Sequence, residues 1–370
     1  MHPTRRPRIA ASLALAAAFA WHPSPATAQA PPAYQDHANL LVVRSPDGTP
    51  RPVESVADWE VRRGHVLAHL QEVMGPLPGP EKLAPLDWKV LEEFPEEGYV
   101  RKKIEFQAEP GDRVPAWLLV PDAPAGGEAT KRPAMLCLHQ TVAIGKDEPA
   151  GLGGKPDLWY ARELAQRGYV AIAPDYPNFG EYRRDVYKMG YASASMKAIW
   201  NNKRAVDLLA SLPEVDPERI GVIGHSLGGH NAIFTALFEP RLKVVVSSCG
   251  FNAFPYYYQG DVAGWSHKGY MPRLREVFGL DLSKIPFDFP ELIGALAPRP
   301  FFTCSPLHDA NFEVEGVRVC LRAARPIYAL YRAEDDLEAE FPDAEHSFER
   351  GARMKAYDFL DARLKPGAAR

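Results

Sequence analysis

The sequence lacks the features of membrane proteins and of nucleic-acid-binding proteins. No segment beyond the N-terminus is long and apolar enough to cross a bilayer. The N-terminal apolar run, Ile9–Trp21, is shorter than the roughly 20 residues that a span requires. The formal net charge is −4, without the basic stripe that a nucleic-acid-binding surface needs. We therefore expect neither a membrane span nor a nucleic-acid partner.

Cysteine is scarce, and its spacing matches no metal or redox motif. The four cysteines are Cys137, Cys249, Cys304 and Cys320. Three of the four lie in apolar, strand-like runs, which favours buried thiols. Cys249 and Cys304 fall at the ends of neighbouring predicted strands and are the pair for which a disulfide stays open. His65 and His69 lie four residues apart on a predicted helix, but no third ligand is evident, so we predict no metal site.

The first 28 residues have the composition of a signal peptide. A basic region with Arg5, Arg6 and Arg8 precedes the apolar run, and Ala26-Thr27-Ala28 forms a small-residue cleavage site. These residues predict export, so that the mature protein is secreted or periplasmic.

The rest of the chain of 370 residues is expected to form one elaborated domain. Residues 29–85 read as a proline-rich arm and an amphipathic helix packed on the main domain. In residues 86–370 strands and helices alternate, which predicts an α/β fold with a doubly wound, mostly parallel sheet. An early hairpin adds an antiparallel N-terminal edge. The predicted strands are Leu86–Leu91, Tyr99–Phe106, Pro115–Val120, Ala134–Leu138, Tyr169–Ala173, Arg219–Ile223, Lys243–Ser248, Pro300–Cys304 and Leu337–Phe341.

A glycine-rich turn between a strand and a helix carries a candidate nucleophile. The apolar run Ile220–Ile223 ends at Gly224-His225-Ser226-Leu227-Gly228-Gly229, and a helical pattern over Ala232–Phe238 follows. This is G-x-S-x-G in a strand–turn–helix setting, the context of a nucleophile elbow. A serine at such a strained turn needs neighbours that are almost free of side chains, and the glycines supply them. We predict that Ser226 is a nucleophile.

A serine hydroxyl requires a base, and the base requires an orienting carboxylate. In a fold of this topology the partners follow the nucleophile in the order acid, then histidine. His346, between the last strand and the last helix, is the predicted base, and Asp309, after the Pro300–Cys304 strand, is the predicted acid. His308 is interpreted as a neighbour. The carboxylates ranked lower are Asp335, Asp336 and Asp175.

Acyl transfer also needs N–H donors for the developing oxyanion. The residue after the nucleophile, Leu227, supplies one. The loop after the Ala134–Leu138 strand supplies the other, with Thr141 as the first choice and Gln140 as the reserve.

An insertion, residues 250–298, interrupts the alternation and is rich in aromatic residues. It lies at the carboxyl ends of the strands, where open α/β sheets bind ligands. We interpret it as a cap, with Phe251, Tyr257 and Trp265 as substrate-binding residues. A surface insertion packed by its own rings is the alternative.

From Pro115 to Leu360 the chain resembles an α/β-hydrolase, and it is similar to secreted bacterial dienelactone-hydrolase-like and acetyl-xylan-esterase-like proteins. The residues that carry the likeness are Leu138-His139-Gln140-Thr141, Ala173-Pro174-Asp175-Tyr176, Val215-Asp216-Pro217-Glu218-Arg219-Ile220, Gly224-His225-Ser226-Leu227-Gly228-Gly229, Asp309 and Glu345-His346-Ser347-Phe348. The resemblance implies an eight-stranded sheet, a Ser–Asp–His triad, no cofactor and ester hydrolysis. Dienelactone hydrolases proper carry a cysteine nucleophile, and many relatives have glycine where Gln140 stands. Glucuronoyl esterases have a different elbow sequence, so their substrate is not favoured.

The function predicted from the sequence is that of a secreted serine esterase acting on a small-molecule or carbohydrate ester, with deacetylation of polysaccharides as one candidate activity. One alternative is a prolyl-oligopeptidase-like peptidase, although roughly ninety N-terminal residues cannot build the propeller usual in that family. A second alternative is a non-catalytic binding protein with the same fold.

Overall fold

The computed structural model describes residues 30–123 and 131–365; the predicted signal peptide, residues 1–28, lies outside these ranges. The strands are β1 (Val42–Arg44), β2 (Pro50–Pro52), β3 (Lys89–Glu96), β4 (Tyr99–Glu109), β5 (Asp112–Pro121), β6 (Arg132–Leu138), β7 (Val170–Pro174), β8 (Val215–His225), β9 (Leu242–Ser248), β10 (Phe301–Cys304) and β11 (Leu337–Glu340). The α-helices are α1 (Val56–Met74), α2 (Tyr160–Gln166), α3 (Ala194–Ser211), α4 (Leu227–Phe238), α5 (Arg273–Glu276), α6 (Phe289–Leu296), α7 (Val314–Leu330) and α8 (Arg350–Leu364). No helix in the described ranges is both long and apolar enough to cross a bilayer.

One large sheet organises the described residues, with the strand order β11-β10-β9-β8-β6-β7-β5-β4-β3. The six strands from β11 to β7 are parallel, and β5, β4 and β3 continue the sheet as an antiparallel meander. The predicted mostly parallel sheet with an antiparallel N-terminal edge is therefore confirmed. The sheet has nine strands, as many as the pattern of the sequence predicts, whereas the eight strands implied by the resemblance are one too few. The predicted strand Leu86–Leu91 corresponds to the edge strand β3, whose exposed, largely charged side chains are typical of a sheet edge that resists pairing with other chains.

Alternate residues of the central strands face two separate hydrophobic cores. On β8, Val222 belongs to the core formed with α3, α4, α6 and α7, whereas Ile223 belongs to the core formed with α2 and α8. Leu136 and Cys137 divide in the same way on β6. Strands that are buried on both faces carry nearly continuous apolar runs. The layers therefore match the predicted doubly wound arrangement.

Helix α1 begins with a capping box, in which Ser55 and Asp58 each accept a hydrogen bond from the other's backbone N–H. Its buried Arg62 forms an ion pair with Glu291 of α6, and Nδ1–H of His37, in the preceding segment, donates to the same carboxylate at 2.8 Å. Both Arg62 and Glu291 side chains are fully buried. Removing one partner of such a pair leaves an uncompensated buried charge, which costs about 3–5 kcal/mol. This cluster fixes α1 to the helical layer.

The insertion between β9 and β10 contains two different parts. Its last part is α6, which has a capping box formed by Asp288 and Glu291 and packs on α4 and α7 as a crossover helix. The preceding part consists of short 3-10 turns over Phe254–Gly260 and Val262–Ser266, followed by α5. Only this earlier part has the character of a cap.

Candidate active site

The turn between β8 and α4 has the geometry of a nucleophile elbow. Ser226 adopts φ 53° and ψ −117°, a strained conformation for a residue with a side chain. A Cβ atom at Gly228 would overlap the carbonyl of Leu138, and one at Gly224 would overlap the backbone of Gly228. The glycines are therefore required by close backbone approach. The turn is fixed by hydrogen bonds from the Ser226 N–H to the Ser248 carbonyl at 2.8 Å and from the His230 N–H to the Ser226 carbonyl at 3.1 Å.

Asp309 and His346 meet at the carboxyl ends of β10 and β11. Nδ1 of His346 lies 2.9 Å from Oδ2 of Asp309. The second carboxylate oxygen, Oδ1, accepts the backbone N–H groups of Asn311 at 2.8 Å and Phe312 at 3.1 Å. The carboxylate is thus held from both sides, and the imidazole is bound through Nδ1. This leaves Nε2 of His346 as the nitrogen that can accept a proton.

The three carboxylates that ranked below Asp309 as the triad acid lie away from His346. Asp335 and Asp336 line a depression with Glu218 and Lys243 at the amino ends of the strands, and Asp336 pairs with Arg363. Asp175 accepts the Lys146 N–H at 2.8 Å and the Glu181 N–H at 2.9 Å, so it fixes a loop. The exposed His308 pairs with Asp343.

Ser226 and His346 line one cavity of about 380 Å³. Its lining residues are Gln140, Thr141, Ser226, His230, Tyr257, Gly264, Trp265, His267, Tyr270, Asn311, Phe312 and His346. The Ser226 hydroxyl makes no hydrogen bond with any residue that the structure describes. Such contacts are often long without substrate and tighten in the complex with it. All three predicted triad residues therefore lie at one edge of the sheet.

His139 fixes the loop that carries the second predicted oxyanion donor. Its Nε2 accepts the Tyr176 N–H at 2.9 Å, so the ring proton sits on Nδ1 and is donated to the Gln140 carbonyl at 2.6 Å. Burial lowers the pKa of His139 to about 4, which keeps the ring neutral. Because a trans peptide is planar, the Thr141 N–H points away from the bound Gln140 carbonyl. That N–H has no partner among the described residues.

Leu227 and Gln140 occupy distinct positions around the same cavity. Leu227 is the first residue of α4, so its N–H has no carbonyl one turn earlier to bind. The Gln140 side chain donates to Oε1 of the buried Glu148 at 3.0 Å, which ties this end of the loop to Glu148. The backbone N–H groups of Leu227 and Thr141 stay the predicted donor pair, with that of Gln140 as the reserve.

Two of the three predicted aromatic residues line the cavity, and one does not. Tyr257 and Trp265 lie in its wall. The prediction for Phe251 was wrong, because this residue follows β9 so closely that its ring is buried beneath the cap and stacks on Phe289 at 5.7 Å.

The sequence reasoning missed His230, Tyr270 and Phe312. His230 lies one helical turn after Ser226, and that spacing of four residues was the signal that could have found it. The centroid of its ring lies 4.7 Å from that of Trp265 and 5.5 Å from that of Tyr270. Burial lowers the pKa of His230 to about 3, so the ring is neutral. Since no Lys, Arg, Asp or Glu lines the cavity in the described residues, its wall is uncharged and aromatic.

The cysteines are buried and free, as predicted, and Cys249 and Cys304 are not joined. His65 and His69 contact Tyr34 and the Pro31 carbonyl, respectively.

Comparison with known proteins supports the fold and indicates a class of hydrolases. The family model described as "Glucuronyl esterase, fungi" matches residues 180–331. A Bacillus subtilis (strain 168) protein named as a hydrolase, YtaP, is 28% identical over 186 residues, which cover 48% of this chain. The match spans only 58% of the length of YtaP.

Solved structures align over most of the chain. A glucuronoyl esterase from Solibacter usitatus gives a TM-score of 0.68 at 18% identity, covering 90% of this chain and 98% of that one. A Bacteroides fragilis protein named as an acetyl xylan esterase gives a TM-score of 0.60 at 20% identity, covering 84% of this chain and 79% of that one. The chain thus has the α/β-hydrolase fold, and its resemblance to acetyl-xylan-esterase-like hydrolases is confirmed.

Glucuronoyl esterases are among the proteins that this chain resembles, although the elbow sequence did not favour their substrate. The matched segment, residues 180–331, includes the elbow itself.

Proposed function

We propose that this protein is a serine hydrolase that cleaves carboxylic esters, with a carbohydrate ester as its natural substrate. The observation that carries the proposal is the convergence of Ser226, on its strained turn, and the Asp309–His346 pair on one cavity. Each residue comes from a different loop at the carboxyl edge of the sheet, as expected for this fold.

In the first half of the reaction, the Ser226 oxygen attacks the ester carbonyl carbon and His346 Nε2 takes its proton. Asp309 binds the Nδ1–H throughout, so the imidazole keeps the tautomer with a free lone pair on Nε2 and its positive charge is stabilised. Collapse of the tetrahedral intermediate transfers that proton to the leaving alcohol and leaves an acyl group on Ser226.

The negative oxygen of the tetrahedral intermediate requires donors that are already in place. The backbone N–H groups of Leu227 and Thr141 fill this role in our proposal, the first at the start of α4 and the second on the loop fixed by His139. The positive end of the α4 dipole adds to the stabilisation. Water, activated by His346 in the second half of the reaction, then releases the acid and restores Ser226.

The cavity wall supports a carbohydrate ester. Aromatic faces of Tyr257, Trp265 and Phe312 offer stacking surfaces, while the hydroxyls of Thr141 and Tyr270, 2.9 Å apart, offer polar contacts. An uncharged wall suits a neutral ester better than a free acid, because a buried carboxylate would lack a cationic partner. The signal-peptide-like composition of residues 1–28 makes export part of the same proposal.

The test is a substrate panel with a nucleophile variant as its control. Purified protein is assayed with p-nitrophenyl esters of increasing chain length, acetylated xylan, a methyl ester of a glucuronoside and a prolyl p-nitroanilide. We expect ester hydrolysis that Ser226→Ala abolishes while circular dichroism stays unchanged. Cleavage of the anilide but not of the esters would support the peptidase instead, and inactivity on the whole panel would favour a binding protein.

A further inference from the structure

Two potential metal ligands lie beside the triad histidine, which is itself a third. One donor atom from each of His225, Cys249 and His346 lies within 4.8 Å of the other two. His225 and Cys249 are buried, whereas the His346 side chain retains 21% exposure at the cavity. The rings of His225 and His346 are in contact, with centroids 4.8 Å apart. The cluster can therefore be reached from the cavity through His346.

In both His225 and His346, one ring nitrogen is hydrogen-bonded and the other has no hydrogen-bond partner among the described residues. Nδ1 of His346 binds Asp309 at 2.9 Å, and Nδ1 of His225 binds the Ser248 hydroxyl at 3.0 Å. Nε2 of His225 is buried without a hydrogen-bond partner among the described residues. A hydrogen-bonded second nitrogen is the usual arrangement of a metal-ligating histidine, and a carboxylate partner is its strongest form. A buried nitrogen without a partner is otherwise costly.

We propose that His225, Cys249 and His346 form a binding site for a borderline or soft divalent cation, with Zn²⁺ as the reference case, and that the bound ion inhibits the enzyme. Imidazole nitrogens and a thiolate are ligands that Zn²⁺ prefers over Mg²⁺ or Ca²⁺. Zinc bonds of about 2.0–2.3 Å at tetrahedral angles place donor atoms roughly 3.4–3.6 Å apart. The three side chains must therefore approach one another by at most about 1.4 Å, and water from the cavity supplies a fourth ligand.

The local charges favour a dication. The Cys249 thiol donates to the Ser347 carbonyl at 3.4 Å, and the Asp309 carboxylate lies behind the third ligand, His346, at 2.9 Å. Binding of M²⁺ releases the thiol proton to solvent, and the ion then balances the charges of the thiolate and the Asp309 carboxylate.

Inhibition follows because His346 belongs to both the triad and the proposed ion site. An ion bound to His346 Nε2 occupies the lone pair that takes the proton from Ser226. This consequence rests on the proposed function, whereas the binding of the ion does not. The two are therefore measured separately.

Binding is tested by titration calorimetry with ZnCl₂ on untagged wild-type protein, Cys249→Ala and the matched control Cys320→Ala, which removes another fully buried thiol. We expect one Zn²⁺ per chain for the wild type and the control. Loss of a residue that only hydrogen-bonds a metal ligand weakens metal affinity about 10- to 100-fold. Loss of Cys249, which binds the ion directly, should therefore weaken the affinity at least about 100-fold. Equal affinity in Cys249→Ala would overturn the site. If that variant does not fold, His225→Gln replaces it in the same comparison.

Inhibition is tested by ester hydrolysis with each protein compared with its own rate without metal. Zn²⁺ should suppress the wild type and Cys320→Ala, EDTA should restore both, and Mg²⁺ at the same concentration should have no effect. Cys249→Ala should need at least about 100-fold more Zn²⁺. Zn²⁺ binding by a chain without esterase activity would refute the proposed function but retain the site. Hydrolysis that is insensitive to Zn²⁺, with no binding in the calorimeter, would refute the site alone.

Discussion

Replacing Asp309 by asparagine tests the triad without removing any packed atom. Oδ1 of Asp309 accepts two backbone N–H groups, from Asn311 and Phe312. In Asp309→Asn the amide oxygen must keep that position, because an NH₂ group there would face two donors. The NH₂ group is then directed at His346 Nδ1 and donates to it. This forces the ring proton onto Nε2, where the lone pair of the base is lost.

The expected effect is a large loss of rate with the fold retained. A carboxylate-to-amide change that imposes the wrong histidine tautomer lowers kcat about 10⁴-fold, which corresponds to about 5.4 kcal/mol in the activation free energy. The assay is kcat and KM for p-nitrophenyl acetate, with the thermal unfolding midpoint measured on the same samples. Because the two backbone N–H groups keep an acceptor, the unfolding midpoint should change little.

A second Asp–His pair in the chain provides the control. His308 Nε2 lies 2.7 Å from Asp343 Oδ1, and both side chains are exposed. Asp343→Asn makes the same chemical change outside the cavity and should leave the rate within about twofold, since exposed pairs contribute little. A rate for Asp309→Asn within tenfold of the wild type would refute the role of Asp309. Equal losses in both variants would show that the effect is not specific to the site.

Three further changes test the loop, the elbow and the cavity wall. His139→Ala frees the Gln140 carbonyl and should lower kcat by up to about 100- to 1000-fold with KM nearly unchanged; a rise in KM alone would contradict the role of the loop. Gly228→Ala places a methyl group against the Leu138 carbonyl and should lower the free energy of unfolding by about 3 kcal/mol in urea titrations. Gly351→Ala, with open space around it, is its control and should not destabilise the protein. His230 has a folded pKa of about 3, below its unfolded value of about 6.5, so it contributes stability above pH 6.5 that is lost as pH falls towards 3. As the pH is lowered from 7 to 4.5, the free energy of unfolding of His230→Phe should therefore rise relative to that of the wild type. A difference between the two proteins that stays constant over this range would refute a buried neutral ring.

The parts of the site that the sequence predicted are those fixed by backbone geometry and chain order. The glycines around Ser226 are demanded by close contacts between main chains, so the motif specifies the turn almost by itself. Asp309 and His346 follow strands whose carboxyl ends share one edge of a parallel sheet. Topology therefore brings them together whatever the intervening loops contain. The buried cysteines were predictable for a similar reason, since apolar runs of this length become strands with two covered faces.

The parts that the sequence did not predict depend on where side chains point. Phe251 and Tyr257 are both aromatic residues of the insertion, yet one stacks in the core and the other lines the cavity. No local pattern separates them, because the difference is set by the path of the chain over α6. The start of α4 at Leu227, five residues before the predicted pattern begins at Ala232, was hidden by two glycines that disfavour helix in isolation. The edge strand β3 was predicted over Leu86–Leu91 but runs over Lys89–Glu96, because its mostly exposed residues show no core-facing alternation that would mark its bounds.

The most direct test of the account is the rate at which a fluorophosphonate labels Ser226. In this reaction the Ser226 oxygen displaces fluoride at phosphorus and needs the same proton transfer to His346 as ester attack. We expect peptide mapping to find the label on Ser226, and labelling of His346→Ala to be slower by at least about 10³-fold. A wild-type protein that hydrolyses esters but is labelled at another residue, or is labelled equally fast without His346, would contradict the claim that this histidine activates this serine.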